Sequence, residues 1–215
     1  MRFEGKVDYS LYLVSDRGLL GERDLCQSIA AAIQGGVTLV QLREKDRTSR
    51  EFFDLAVRVK AVTDGMNVPL IINDRLDIAL AVDAAGLHIG QEDLPAAIAR
   101  RLLGPGKILG VSAATVDEAL VAEADGADYL GIGAVFPTGT KRDACEVGLA
   151  GLRAVVQRVQ LPVVAIGGID ERNLPAVLEQ RVAGVAVVSA ILGRPAITAA
   201  ARQLDAVIRQ WQQRI

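Results

Sequence analysis

Apolar residues fall into short, mostly continuous runs along the whole chain, each followed by a segment of helical length. Leu11 to Val14, Thr38 to Leu42, Pro69 to Ile72, Gly86 to Ile89, Ile108 to Val111, Tyr129 to Ile132, Pro162 to Ile166 and Gly184 to Val188 make eight candidate strands. Uninterrupted apolar runs suit parallel strands covered on both sides, because neither face meets water. Leu25 to Gln34, Phe52 to Val62 and Val177 to Glu179 carry apolar faces at spacings of three or four, as surface helices do. Thr48 and Ser49 suit a helix N-cap, and Gly35-Gly36 a C-cap leading into the second strand. The fragments GGVTLVQL, AAGLHIG, DGADYLGIG and VAGVAVVS look like one helix-to-strand device used four times. This weak half-barrel repeat, with no Pro/Ser-rich linker, predicts one α/β domain over residues 1–215, a closed (β/α)8 TIM barrel. An open doubly wound sheet shares the periodicity, but its G-x-G-x-x-G turn is missing: after Val14 the chain reads SDRGLLGERD.

Composition narrows the partners. The 215 residues are 51% hydrophobic, enough for a substantial core, and 24 Lys+Arg against 26 Asp+Glu leave a formal charge of -2. No basic block points to nucleic acid or an anionic membrane surface, and 4% aromatics argue against base-stacking platforms. Met1 to Ser10 lack the apolar run of a secretory signal, and no stretch approaches the roughly 20 apolar residues of a membrane span. Cys26 and Cys145 belong to no metal-like spacing and support no disulfide framework. The expectation is a cytoplasmic protein, with room for a homo-oligomer, that binds small molecules rather than nucleic acid or membrane.

In a barrel of this kind the loops after the strands build the active site. Strand two runs into Gln41, Arg43 and Lys45, which period-two alternation projects together. Arg offers a planar fork for phosphate oxygens and Lys a mobile point charge, although a solvated strand end would look the same. Strand three leads to Asn73 and Asp74, strand four to Gln91 and Asp93, and strand five to Ser112. Singly, Asp74 and Asp93 each read as helix caps. Together, on neighbouring loops facing Arg43 and Lys45, they match oxygen ligands of a Mg2+ shared with substrate phosphates. Thr138, Thr140 and Lys141 lie on the polar segment FPTGTKRDA after strand six, which reads either as a phosphate-gripping mobile loop or as a surface connection. Gly167-Gly168 after strand seven and Val188-Ser189 at strand eight fit the backbone phosphate site this fold often forms there. His88, inside strand four, could be packed or could line the pocket floor, and no nucleophile arrangement follows from it.

The fragments LYLVSD, VQLREK, LIINDRLDIAL, GLHIGQEDLP, GVSAAT, FPTGTK, VVAIGGI and GVAVVSAI together resemble the thiamine phosphate synthase (thiamine-phosphate pyrophosphorylase) family, in its order and at its spacing over nearly the whole chain. The resemblance implies a transferase. It would join 4-amino-2-methyl-5-(diphosphooxymethyl)pyrimidine to 4-methyl-5-(2-phosphooxyethyl)thiazole, giving thiamine phosphate and pyrophosphate through a pyrimidine carbocation. It further implies that Gln41, Leu42, Arg43, Glu44, Lys45, Asn73, Ser112 and Lys141 contact the pyrimidine diphosphate, and that Asp74 and Asp93 hold Mg2+. Thr138, Gly139, Thr140, Gly168, Val188 and Ser189 would hold the thiazole phosphate. Arg43, Lys45, Lys141 and Ser112 would be the catalytic set. Two departures stand out: Ala113 and Ala114 follow Ser112 where many relatives have a histidine, and Ala134 stands where Gly-Pro is common. A thiazole tautomerase on the same fold needs a proton-transferring residue in place of the metal carboxylates; this sequence keeps both carboxylates and lacks that histidine. Aldose-phosphate epimerases and isomerases need a paired acid and base at the strand ends, and a precursor-binding regulatory barrel would need no Lys141.

Overall fold

In the computed structural model, which describes residues 7–139 and 146–214, each expected strand is a strand. They are β1 Leu11–Val14, β2 Leu39–Leu42, β3 Leu70–Asn73, β4 Gly86–Ile89, β5 Ile108–Ala113, β6 Tyr129–Ile132, β7 Val163–Ile166 and β8 Gly184–Val187. All pair in parallel, each with its sequence neighbour, and β8 returns to β1 through Leu11↔Val185 to close the barrel. Closure decides against the open sheet. It also removes the sheet edges that would otherwise expose unpaired backbone groups.

The helices α1 Leu25–Gln34, α2 Ser49–Gly65, α3 Leu76–Ala81, α4 Ala96–Leu103, α5 Val116–Ala124, α6 Gly148–Val156, α7 Leu174–Leu178, α8 Ser189–Leu192 and α9 Ile197–Gln212 surround the strands. Thr48 is the N-cap of α2 and forms a reciprocal capping box with Glu51, so the helix begins earlier than its first large apolar residue, Phe52. Gly35 is the C-cap of α1, and Gly36 turns into β2 with φ +111°, a conformation L side chains rarely adopt. The short α8 is an insertion between β8 and the outer helix α9 that apolar periodicity does not resolve.

Strand alternation separates two cores. Outward residues such as Leu13, Leu42, Ile72, Leu87, Val111 and Val187 pack under the helices. Inward residues Tyr12, Val14, Leu39, Ile71, Ile108, Tyr129, Val164 and Ala186 fill the barrel itself. Tyr9, just before β1, joins them, and three tyrosines in that lumen are unusual beside the branched aliphatics that dominate such interiors. Gly110 makes room for one of them: a Cβ there would stand 2.1 Å from Tyr129 Cζ.

Candidate active site

Several of the expected residues that the structure describes lie at the mouth, at the C-terminal ends of the strands, and β2 shows how. Gln41 is buried and points inward, where its Nε2 donates to the Tyr12 hydroxyl at 2.9 Å. Leu42 alternates outward into the core beneath the helices, and Arg43 returns to the mouth side. The turn is held by Ser15, fully buried after β1, whose Oγ accepts from the Arg43 backbone N–H at 2.9 Å. Among the described residues Arg43 enters no ion pair, leaving its fork available to an anion. Glu44 is diverted: its carboxylate lies 3.2 Å from Arg17 Nε and is only 6% exposed, so its side chain serves the β1 loop. The family resemblance implies Gln41 to Lys45 as one contact strip, whereas the outward turn of Leu42 and the Glu44–Arg17 pair leave Gln41, Arg43 and Lys45, the set that period-two alternation groups, as its side-chain members.

The two carboxylates do not cap helices. The N-cap position of α3 is Arg75 and that of α4 is Pro95, and neither makes a side-chain capping bond. Asp74 adopts φ +62°, a left-handed conformation that Asp tolerates better than most residues, with its N–H bonded to the His88 carbonyl at 2.8 Å. That turn brings Asp74 Oδ2 to 2.6 Å from Lys45 Nζ. Asp93 folds back instead on its own loop, with Oδ2 accepting from the Gly90 N–H at 2.7 Å. The Asp74 and Asp93 carboxyl groups lie within hydrogen-bonding reach of each other.

Their titration divides accordingly. Burial pushes the Asp93 carboxyl up and the charge on Asp74 adds to the rise, against the Gly90 N–H. Burial acts upward on Asp74 too, but the Lys45 ammonium and the bond with Asp93 outweigh it and hold Asp74 below its ordinary value. Among the described residues no three His, Cys, Asp or Glu side chains come together as a cation cage. A pair of part-buried carboxylates beside Lys45 fits an ion such as Mg2+, which keeps waters and takes most of its remaining ligands from substrate phosphates.

Asn73 ends β3, buried beside Asp74. Ser112 lies within β5, one turn of the pleat before its end at Ala113, and Gln91 Nε2 donates to its carbonyl at 2.6 Å. His88 faces inward with Nδ1 2.8 Å from the Tyr129 hydroxyl and Nε2 2.9 Å from Ser112 Oγ. It is therefore both packed and connected to the mouth. Tyr12, Tyr129 and Ser15 carry this arrangement without standing out in the sequence; the available signal was a polar-tipped residue at an inward position of an otherwise aliphatic strand.

On the other side the backbone dominates. The β6 loop is fastened at its base, with Val147 N donating to Ala134 O at 2.8 Å, and runs beside the β7 loop through Phe136 N to Gly167 O at 3.0 Å. Gly167 and Gly168 have φ of +101° and +65°, and a Cβ on Gly168 would stand 2.7 Å from the Pro137 carbonyl oxygen. Only glycines let these loops pass so closely, which brings Phe136 and Pro137 against the β7 loop. Val188 is the N-cap of α8 rather than the last strand residue, its side chain packing on the lumen cluster, and Ser189 is the first residue of the helix. The first N–H groups of a helix have no intrahelical partner, so this end offers donors to the mouth. Thr140, Lys141 and Cys145 lie outside the described residues.

Comparison with known proteins is consistent along the chain. Residues 11–191 match the family described as thiamine monophosphate synthase. The thiamine-phosphate synthase of Alkaliphilus oremlandii is 56% identical over 209 residues, covering 97% of this chain and 100% of the relative. That of Desulfitobacterium hafniense (strain Y51) is 57% identical over 199 residues, covering 92% and 96%. Among solved structures, the thiamine phosphate pyrophosphorylase from Pyrococcus furiosus superposes with a TM-score of 0.88 at 38% identity, covering 95% of this chain and 98% of that one. With a match that runs from β1 into α8 and takes in both sides of the mouth, this chain belongs to the thiamine monophosphate synthase family.

Proposed function

We propose that this protein is a transferase that condenses 4-amino-2-methyl-5-(diphosphooxymethyl)pyrimidine with 4-methyl-5-(2-phosphooxyethyl)thiazole, releasing pyrophosphate and forming thiamine phosphate. The observation that carries the reading is the divided mouth: clustered charged side chains at the ends of β2 to β4, and a glycine-shaped backbone path after β7 beside the helix start after β8. Two phosphorylated substrates call for two such regions.

The pyrimidine lies over β2 to β5, with Gln41 and Asn73 toward its ring and Arg43, Lys45 and Ser112 toward the diphosphate. Asp74 and Asp93 are the residues that would hold Mg2+, which when bound supplies positive charge to the diphosphate oxygens. The methylene C–O bond breaks with its electron pair passing to the leaving diphosphate, and the aminopyrimidine ring stabilises the resulting cation. The lone pair of the thiazole nitrogen then forms the C–N bond, and no protein nucleophile or strong base is needed. Arg43 and the Ser112 hydroxyl bind charge that grows on the diphosphate as the bond breaks, which is where electrostatic stabilisation lowers the barrier. Gly168 and Ser189, together with Thr138 and Gly139, hold the thiazole phosphate so that its nitrogen faces the methylene carbon. Thr140 and Lys141 complete the two phosphate sites in this reading. Partners are small molecules; no described helix is long and apolar enough to cross a membrane.

Mixing both phosphorylated precursors with the protein and Mg2+ should yield thiamine phosphate by mass spectrometry and an equal amount of pyrophosphate, with both signals lost on chelation. Pyrophosphate release without thiamine phosphate would replace the synthase reading by a hydrolase.

A further inference from the structure

Five side chains from five strands form a continuous hydrogen-bonded chain through the barrel. Gln41 Nε2 donates to the Tyr12 hydroxyl at 2.9 Å, Tyr12 and Tyr129 hydroxyls are 2.9 Å apart, and Tyr129 reaches His88 Nδ1 at 2.8 Å. His88 Nε2 then meets Ser112 Oγ at 2.9 Å. Tyr12 and Tyr129 are almost wholly buried, and burial raises both phenols well above their ordinary values, so both hydroxyls keep their protons. The barrel is shaped around this chain. Gly110 leaves space for the Tyr129 ring, and a Cβ on Gly131 would stand 3.0 Å from His88 Cε1.

The proton count gives the chain a direction. The amide of Gln41 can only donate from Nε2, so the Tyr12 oxygen accepts there and turns its own proton to Tyr129. Tyr129 accepts in turn and donates to His88 Nδ1. An imidazole that accepts at Nδ1 carries its proton on Nε2, and that proton goes to Ser112 Oγ. Ser112 accepts this bond and has no other side-chain partner among the described residues, so its hydroxyl proton is left to point into the mouth.

We propose that Tyr12, Tyr129 and His88 are positioning residues that polarise Ser112 as a hydrogen-bond donor to an anionic oxygen at the mouth, with His88 accepting at Nδ1 and donating from Nε2. In the reaction proposed above, and resting on that reading, the oxygen belongs to the departing diphosphate. With the chain reversed, Ser112 would present a lone pair to that anion and repel it. The chain also links a ring-facing group, Gln41, to the diphosphate-facing Ser112: the same Gln41 that turns Nε2 toward Tyr12 turns its carbonyl oxygen the other way.

His88 is the only histidine in the sequence, so 15N-histidine labelling reports it alone. In the unmodified protein without substrate, the spectrum should show a protonated Nε2 and an unprotonated Nδ1. A ring protonated at Nδ1, alone or together with Nε2, overturns the proposal. This readout needs no turnover, so it holds or fails independently of the proposed activity. Tyr129→Phe keeps the ring and removes only the hydroxyl; it should mix the tautomers and lower kcat by about tenfold, the scale of one hydrogen bond, with a smaller change in KM for the diphosphate. In a Ser112→Ala background the same substitution should leave kcat nearly unchanged. An equal fold-loss in both backgrounds would mean that Tyr129 acts on packing and not through Ser112.

Discussion

The two sides of the mouth are built on opposite plans. At the ends of β2 to β4 the geometry comes from side chains that hold one another: Lys45 on Asp74, Asp74 beside Asp93, and Asp93 on the Gly90 N–H. At β7 it comes from a backbone path that tolerates no side chain, with Gly168 pressed under Pro137, and at β8 from the helix that Ser189 opens. Charge on one side is tunable by titration and by ions; shape on the other is sensitive to a single methyl group. A diphosphate that must depart and a monophosphate that must only be held would separate in this way.

The largest expected effect is on the charged side. Asp74→Asn keeps the size of the side chain and the left-handed turn, which Asn also adopts readily. Turnover should fall on the order of a thousandfold through lost charge stabilisation at the diphosphate. Stability should change by about 1 kcal/mol or less, because Lys45 is half-exposed in the ion pair, Asn keeps the hydrogen-bonding capacity of the part-buried side chain, and Asp74 caps no helix. Steady-state kinetics with thermal melts check both parts, and full Mg2+-dependent activity in the variant would break the assignment of the carboxylates.

On the other side, Gly168→Ala should reverse the pattern. The added Cβ meets Pro137 O and Phe136 Cβ at a φ of +65°, so stability should drop by about 2–4 kcal/mol. Affinity for the thiazole phosphate should fall by roughly tenfold to a hundredfold as the β6 loop is displaced, with Mg2+ and pyrimidine diphosphate binding nearly unchanged. Calorimetric titration with each substrate separates the two, and equal losses would erase the division of the mouth.

A smaller effect concerns pH. Asp93 is raised above its ordinary value by burial and by Asp74, so as pH falls a proton would compete with a Mg2+ held there. Affinity for Mg2+ should rise with pH through that titration, by no more than about tenfold per unit for one displaced proton, and level off once Asp93 is ionised. In Asp74→Asn the neighbouring charge is gone, and the same rise should move to lower pH. Affinity measured across the acid range that stays flat would separate Asp93 from the metal.

Much of this was legible before the fold. The apolar runs locate all eight strands, several to the residue, because parallel strands buried on both sides leave continuous hydrophobic stretches and helix-ending glycines mark their starts. Knowing where each strand stops is enough, in a barrel, to find the mouth residues, since all strands run the same way and their loops converge. Period-two alternation also orders Gln41, Arg43 and Lys45 onto one side. Local rules then fail at particular positions. Cap preference reads Asp74 and Asp93 as helix starts, yet a left-handed turn and a folded-back loop give both to the site. Adjacency treats Glu44 like its neighbours, while Arg17, distant in sequence, draws it away.

The polar chain lies wholly beyond the sequence. Alternation tells that Tyr12, His88, Ser112 and Tyr129 face inward, but not which of them meet. Tyr12 and Tyr129 are 117 residues apart on strands that are not neighbours, and their hydroxyls touch only because closure brings opposite walls to one axis. The sequence alone determined which residues face the lumen and which end a strand, because those depend on the backbone repeat of each segment. Which inward groups pair, and hence which way a proton points at Ser112, depends on strand register around the closed barrel, a quantity no single segment contains.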